Sequence, residues 1–167
     1  MNPTTIAQWL QSSALGDYIS ASAWVFPTIE SIHVIAIVTV VGSIAIMDLR
    51  LLGWAFRDRA VTELSRDMLR WTWAAFALAA ITGLLLFISR AESYIINPYF
   101  QWKMALLTLA GLNMLFFHLS TWRTVANWDS TAAIPVSARA AGGLSLAFWI
   151  FVVFCGRVVG FTLGVYV

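Results

Sequence analysis

Glu30, His33, Lys103, His118 and Arg157 are the side chains in this sequence with the most chemistry to offer, and each lies in or beside a long apolar run. Glu30-Ser-Ile-His33 puts a carboxyl and an imidazole three residues apart, on one face of a helix. Val34 to Met47 then follows without a charge, and Asp48-Leu-Arg50 closes the run. Ionisable groups in lipid are costly without partners, so each is a functional-site candidate. An imidazole there is either a hydrogen-bonded polar contact between helices or a ligand for haem iron or another metal. A nearby Lys or Arg would neutralise an anionic group such as a haem propionate. Met47, Met104 and Met114 add thioethers, with Met114 one turn before His118, the spacing of a soft Cu(I) pair.

Composition limits what can position these groups. The 167 residues are 60% hydrophobic and 11% charged, against about 45–50% and about 25% in soluble domains. This is the composition of an integral membrane protein of one domain, 1–167. Nine Trp suit anchoring at the membrane interface. A net charge of +2 argues against nucleic acid as a partner. Cys155 is the only cysteine, so no disulfide forms within one chain. There is no P-loop, no G-x-S-x-G and no H-E-x-x-H, and no residue is assigned a catalytic role. Whether the protein is an enzyme is left open. The N-terminus has neither the basic region nor the continuous apolar stretch of a signal peptide.

The expected fold is all-α, an antiparallel four-helix transmembrane bundle preceded by a short amphipathic helix. Residues 4–20 gather Ile6, Trp9, Leu10, Tyr18 and Ile19 on one face, which predicts a helix lying in the interface. Four spans are predicted over 27–52, 68–89, 100–122 and 138–165. Pro27 suits the first turn of the first span, and Asn97-Pro98 reads as a turn or helix start before the third. Arg50, Arg57, Arg59, Arg66 and Arg70 flank the first connection, and Arg123 and Arg139 the third. The opposite side has Arg90, Lys103 and Arg157. The positive-inside bias then predicts a multi-pass protein of the bacterial inner (cytoplasmic) membrane with both termini periplasmic.

Depth sorts the polar groups into two layers. Glu30, His33, Arg90, Lys103 and Arg157 fall toward the outer face; Met47, Asp48, Arg50, His118 and Arg139 fall toward the inner one. Glu30 with Arg157, and Asp48 with Arg50 or Arg139, are the expected ion pairs. At 1.5 Å per residue His33 and His118 differ in depth by roughly 15 Å or more. One haem held between them is therefore disfavoured. Two separate sites are expected: His33 with Lys103 or Met104 outside, and His118 with Met47 inside. Arg90 and Arg157 would face propionates. Gly156, Gly160 and Gly164 form a small-residue stripe, suited either to packing within the bundle or to a homo-oligomer interface.

Ser31-Ile-His33, Gly42, Asp48-Leu-Arg50-Leu-Leu-Gly53, Asn97-Pro98-x-Phe100-x-x-Lys103, Asn113, Phe117-His118 and Gly156-Arg157 together resemble a family of small bacterial four-helix membrane proteins of unknown function. The resemblance covers essentially the whole chain. More distantly the chain resembles the membrane module of copper-resistance protein D. It also resembles the membrane protoporphyrinogen oxidases, which pair a helix-borne His with a Lys and bind haem. These likenesses imply His33, Lys103 and His118 as haem or metal contacts.

The leading expectation is a cytochrome b-like protein that binds haem b and passes electrons between a quinol pool and a periplasmic partner. It could hold a quinone and belong to a larger redox complex. Two alternatives stand beside it. One is a non-redox accessory or structural subunit, or a homo-oligomer. The other is a copper or small-ion transport component.

Overall fold

The computed structural model describes residues 3–130 and 133–166, and among these every regular element is helical. The elements are α1 (Pro3–Gln11), α2 (Ala14–Ala21), α3 (Val25–Leu52), α4 (Val61–Ser89), α5 (Ala91–Ile96), α6 (Pro98–Leu119), a 3-10 turn over Thr121–Asn127, and α7 (Val136–Thr162). Four of them, α3, α4, α6 and α7, are long and apolar enough to cross a membrane. That is the pattern of a multi-pass membrane protein. Their outward faces carry exposed Ile35, Val38, Trp73, Phe116 and Phe154, which suits lipid rather than water.

The long helices pack in a row: α4 on α3, α3 on α7, α7 on α6. Polar pairs mark the contacts. Thr72 Oγ1 donates to Ser43 Oγ at 2.8 Å between α4 and α3. Asn113 Nδ2 donates to the Ala141 carbonyl at 2.9 Å between α6 and α7. Asn97, fully buried, caps α6 by accepting from the Tyr99 and Phe100 amides and donates to Thr162 Oγ1 at 2.9 Å. One side chain thus starts α6 and ties it to the end of α7.

Helix ends depart from the sequence expectation where tertiary contacts intervene. The second span begins at Val61, not 68, and carries Glu63, Arg66, Asp67 and Arg70 within the helix. Its missing cap comes from across the chain. Asp129 accepts from the Thr62 amide at 2.8 Å and the Thr62 hydroxyl at 2.6 Å, and its carbonyl accepts from the Val61 amide. Arg59 pairs with Glu63 and Asp67 along the same end. The third span stops at Leu119, because the chain tightens into the 3-10 turn before Trp122. α3 ends on Gly53 in the left-handed region (φ 74°), where a side chain would be strained.

The single N-terminal helix expected over 4–20 is two. Ser13 breaks it and caps α2 by accepting from the Gly16 amide at 3.2 Å. α1 packs on α5 and α2 on α4, burying Ala7 and Ile19. Gln8 donates to Glu92 at 3.0 Å, and the Glu92 amide donates to Gln11.

Asp129 makes a testable cap. Burial alone would raise its carboxyl. The Thr62 hydroxyl and amide, the Val61 amide and the nearby Arg50 guanidinium outweigh that and hold it below the usual carboxylate range. A depressed folded value means the contact stabilises above the unfolded pKa, near 3.9. The contribution is lost as pH falls through the folded value. Asp129→Ala is expected to lower stability by about 0.5–2 kcal/mol at pH 7, the usual worth of an N-cap. The difference from wild type should shrink in acid, read by thermal unfolding in detergent at several pH values.

Close packing falls on a different glycine from the predicted stripe. A Cβ on Gly142 would lie 3.0 Å from Leu51 Cβ and 3.1 Å from the Asp48 carbonyl. Neither neighbour can give way without moving α3. A Cβ on Gly160 would meet nothing within 4 Å in the chain. Gly142→Ala is therefore expected to destabilise by about 1–3 kcal/mol through overpacking. Gly160→Ala should leave monomer stability unchanged in the same unfolding assay.

Candidate functional site

The outer-layer expectation brings His33 and Lys103 into one neighbourhood, built by all four long helices. His33 on α3 is half-buried against α4, its Nδ1 2.9 Å from Thr82 Oγ1. The Thr82 hydroxyl also reaches the Leu78 carbonyl at 2.7 Å; donating there, it leaves Thr82 Oγ1 free to accept from His33 Nδ1–H. The Ala79 carbonyl is a second acceptor for the same ring. With Thr82 Oγ1 accepting, the neutral imidazole carries its proton on Nδ1 and Nε2 keeps its lone pair. Gly83 makes room for the ring: a Cβ there would lie 2.9 Å from His33 Cε1.

Lys103 reaches in from α6 at the same level. It lies within electrostatic range of His33. Its Nζ is 3.6 Å from where a Cβ on Gly156 of α7 would stand, and buried Cys155 is close by. Among the described residues the half-buried Lys103 has no carboxylate and no hydrogen-bond acceptor. A lysine amine held this way would meet an anionic group arriving from outside the chain.

An aromatic triad lies about one helical turn further out. Phe87 follows Gly83 by four residues, and Phe100 precedes Lys103 by three. Their rings stack at 5.6 Å, with Tyr94 of α5 at 6.0 and 5.2 Å from them. Burial, reinforced by Glu30, pushes the Tyr94 phenol up to about 12 against the opposing effect of Arg90. It stays a neutral, apolar lid component over the whole physiological pH range.

The other outer-layer residues turn away. Glu30 is exposed and does not pair with Arg157; among the described residues the ion pairs are those of Arg59. Arg157 is exposed, its guanidinium 4.3 Å from the Phe161 ring centroid. Two residues past buried Cys155, it sits on the opposite helix face. Arg90 lies 5.1 Å from the Phe26 ring centroid. Met104, next to Lys103, is exposed and is not directed at the His33 neighbourhood.

The inner-layer residues do not gather at one point. His118 is exposed, its Nδ1 2.9 Å from the Met114 carbonyl of its own helix and its ring 5.5 Å from that of Trp122. It lies fifteen residues beyond Lys103 on α6, about 22 Å along the axis. Met47 packs against the core of Leu51, Val61, Trp128 and Ala138. Asp48 and Arg50, two apart on a helix, do not face each other. Buried Arg50 instead donates from Nε to the Arg59 carbonyl at 2.8 Å and from a terminal nitrogen to that of Asp129 at 3.3 Å. Asp48 is buried beside Ser145, and its Oδ2 has no partner. Arg139 is exposed. Among the described residues, no three His, Cys, Asp or Glu side chains gather as a metal site.

Thr82, Gly83, Cys155 and Gly156 were not legible as site residues. Their signal is faint: a polar–glycine pair in an alanine-rich span, and a cysteine–glycine pair facing it.

The molecule is thus a multi-pass helical membrane protein in which His33 of α3 and Lys103 of α6 come within electrostatic range of each other. The chain belongs to the DUF6644 family, a family of unknown function whose profile matches residues 6–162. Among curated proteins and solved structures, none matches it.

Proposed function

We propose that the His33–Lys103 site binds one haem b and that the protein passes electrons between a quinol pool and a periplasmic partner. The observation that carries the reading is the state of His33. With Nδ1–H donating to Thr82 of α4, Nε2 would remain as a ligating nitrogen. Metal-bound histidines characteristically anchor the second nitrogen in this way, fixing the ring and raising its basicity. The residues present fit the group: an oriented imidazole, and an ammonium with no acceptor for a carboxylate to meet. When bound, haem supplies one-electron transfer within the bundle.

The chain's own residues then have distinct tasks. His33 Nε2 would hold the haem iron. Thr82 and the Ala79 carbonyl hold its tautomer. Lys103 would neutralise an anionic edge; Gly83 admits the His33 ring and Gly156 lies against the Lys103 side chain. The Phe87–Tyr94–Phe100 triad would shield the bound group from water on the outer side. The inner site drops out of the proposal, because His118 and Met47 are occupied separately. The same reading takes the spans as an antiparallel bundle in the bacterial inner membrane. Both termini are periplasmic, with α1 and α2 at the interface.

The reduced-minus-oxidised spectrum of freshly purified protein is the test. A b-type band at about one haem per chain is expected; a colourless preparation from haem-replete membranes ends the proposal. The non-redox alternative, a homo-oligomer through α7, has one observation in its favour. A Cβ added at Gly160 of α7 would meet nothing within 4 Å among the described residues, so this face is open. It predicts a colourless protein whose cross-linked oligomer is lost in Gly160→Leu.

A further inference from the structure

The opposite end of the bundle holds a second polar feature. The end of α3, the loop after it and the approach to α7 enclose a cavity of about 240 Å³, lined by Arg50, Leu52, Gly53, Arg57, Ile134 and Arg139 among others. Three guanidinium groups line it and no carboxylate does. Arg50 is only 1% exposed. Two of its nitrogens are spent on the Arg59 and Asp129 carbonyls, and a guanidinium has five N–H donors, so others remain.

The local charge is not balanced. Asp129 lies within electrostatic range of Arg50, and its carboxylate already accepts two hydrogen bonds from Thr62. It offsets one of the three cations. Glu63 and Asp67 are taken by Arg59. Asp58, beside Arg57 in sequence, is exposed and pairs with neither Arg57 nor Arg139. Arg57 donates Nε to the Gly53 carbonyl, and the Arg139 side chain has no hydrogen-bond partner among the described residues. Two uncompensated guanidinium groups remain around one small space.

Such an arrangement matches a tetrahedral oxyanion, which accepts several charge-assisted hydrogen bonds at once. The cavity is below the roughly 300–1,000 Å³ of clefts for drug-sized ligands, so a compact group is indicated. Leu52 and Ile134 add an apolar flank. The site lies at the end of the spans, where basic pockets between helices meet lipid headgroups. We propose that this cavity binds a phosphate group, delivered by the headgroup of an anionic phospholipid.

The full-length protein in detergent tests this with three probes: phosphatidylglycerol, phosphatidylcholine and inorganic phosphate. Native mass spectrometry counts bound lipid, and calorimetry follows phosphate. Phosphatidylglycerol should be retained over phosphatidylcholine. Arg57→Gln with Arg139→Gln should weaken its binding by about tenfold or more. Both side chains are exposed, so the double variant keeps its fold, checked by size-exclusion chromatography and thermal unfolding. Arg139→Lys, which keeps the charge but not the fork, should recover part of the affinity. Inorganic phosphate binding without lipid preference would sustain the phosphate site and overturn its lipid source. Equal retention of both lipids with no phosphate binding, or phosphatidylglycerol binding unchanged in the double variant, would overturn the proposal.

Discussion

Purified His33→Ala protein is expected to lose the b-type absorbance bands, while His118→Ala keeps them at full intensity. The two imidazoles differ in what surrounds them, not in their chemistry. His33 is held among four helices, with Nδ1–H engaged by α4 and Lys103 in range. His118 is exposed and bonded to its own helix. Thr82→Val removes the main acceptor for Nδ1–H and leaves the Ala79 carbonyl. Loss of such an outer partner costs about 10–100-fold in affinity, and the remaining carbonyl puts this variant at the low end. Lys103→Gln removes a cation from a charge-assisted contact worth about 1.5–3 kcal/mol, so haem should dissociate at least tenfold more readily. Haem titration with the pyridine haemochrome assay separates these cases. A His33→Ala protein that retains its bands would refute the site.

The second large effect is expected at Arg50, in stability rather than colour. Arg50→Leu should lower unfolding stability by about 3–5 kcal/mol, the scale of breaking a buried polar network at one partner. Arg50 is fully buried at the end of α3. It holds the Arg59 carbonyl before α4 and the Asp129 carbonyl in the residue that caps α4. Its removal leaves two carbonyls without donors and uncouples three segments. Arg50→Lys should recover little, because an ammonium cannot copy a planar fork that donates in two directions. Thermal unfolding in detergent, followed by size exclusion, reads both variants. A loss under about 1 kcal/mol for Arg50→Leu would refute this role. The haem signal of whatever folds should persist, since Arg50 lies at the other end of the bundle from His33.

Asp48 shows how the two kinds of information differ. From its place beside Arg50 an ion pair is the natural expectation. The helix places the two side chains on different faces, and Arg50 takes main-chain acceptors instead. Asp48 is left beside Ser145 with one oxygen unpartnered. Glu30 and Arg157 diverge for the same reason. They share a depth but not a direction, and Arg157 lies across α7 from Cys155.

What the sequence by itself determined was depth. Long uncharged runs must be helices of membrane-crossing length, because lipid leaves backbone groups no other partner. Along a helix of known rise, each polar residue then has a readable height. That was enough to set His33 beside Lys103 and to separate both from His118. The tertiary structure alone decided azimuth. α3 and α6 are apolar almost all round, so no amphipathic stripe says which face turns inward. Packing on Gly83, Gly142 and Gly156 chose the faces, and the Asp129 cap, remote in sequence, chose where α4 begins. His33 and Lys103 share a neighbourhood because four helices present small or hydrogen-bonding residues at one height, a condition no single helix carries.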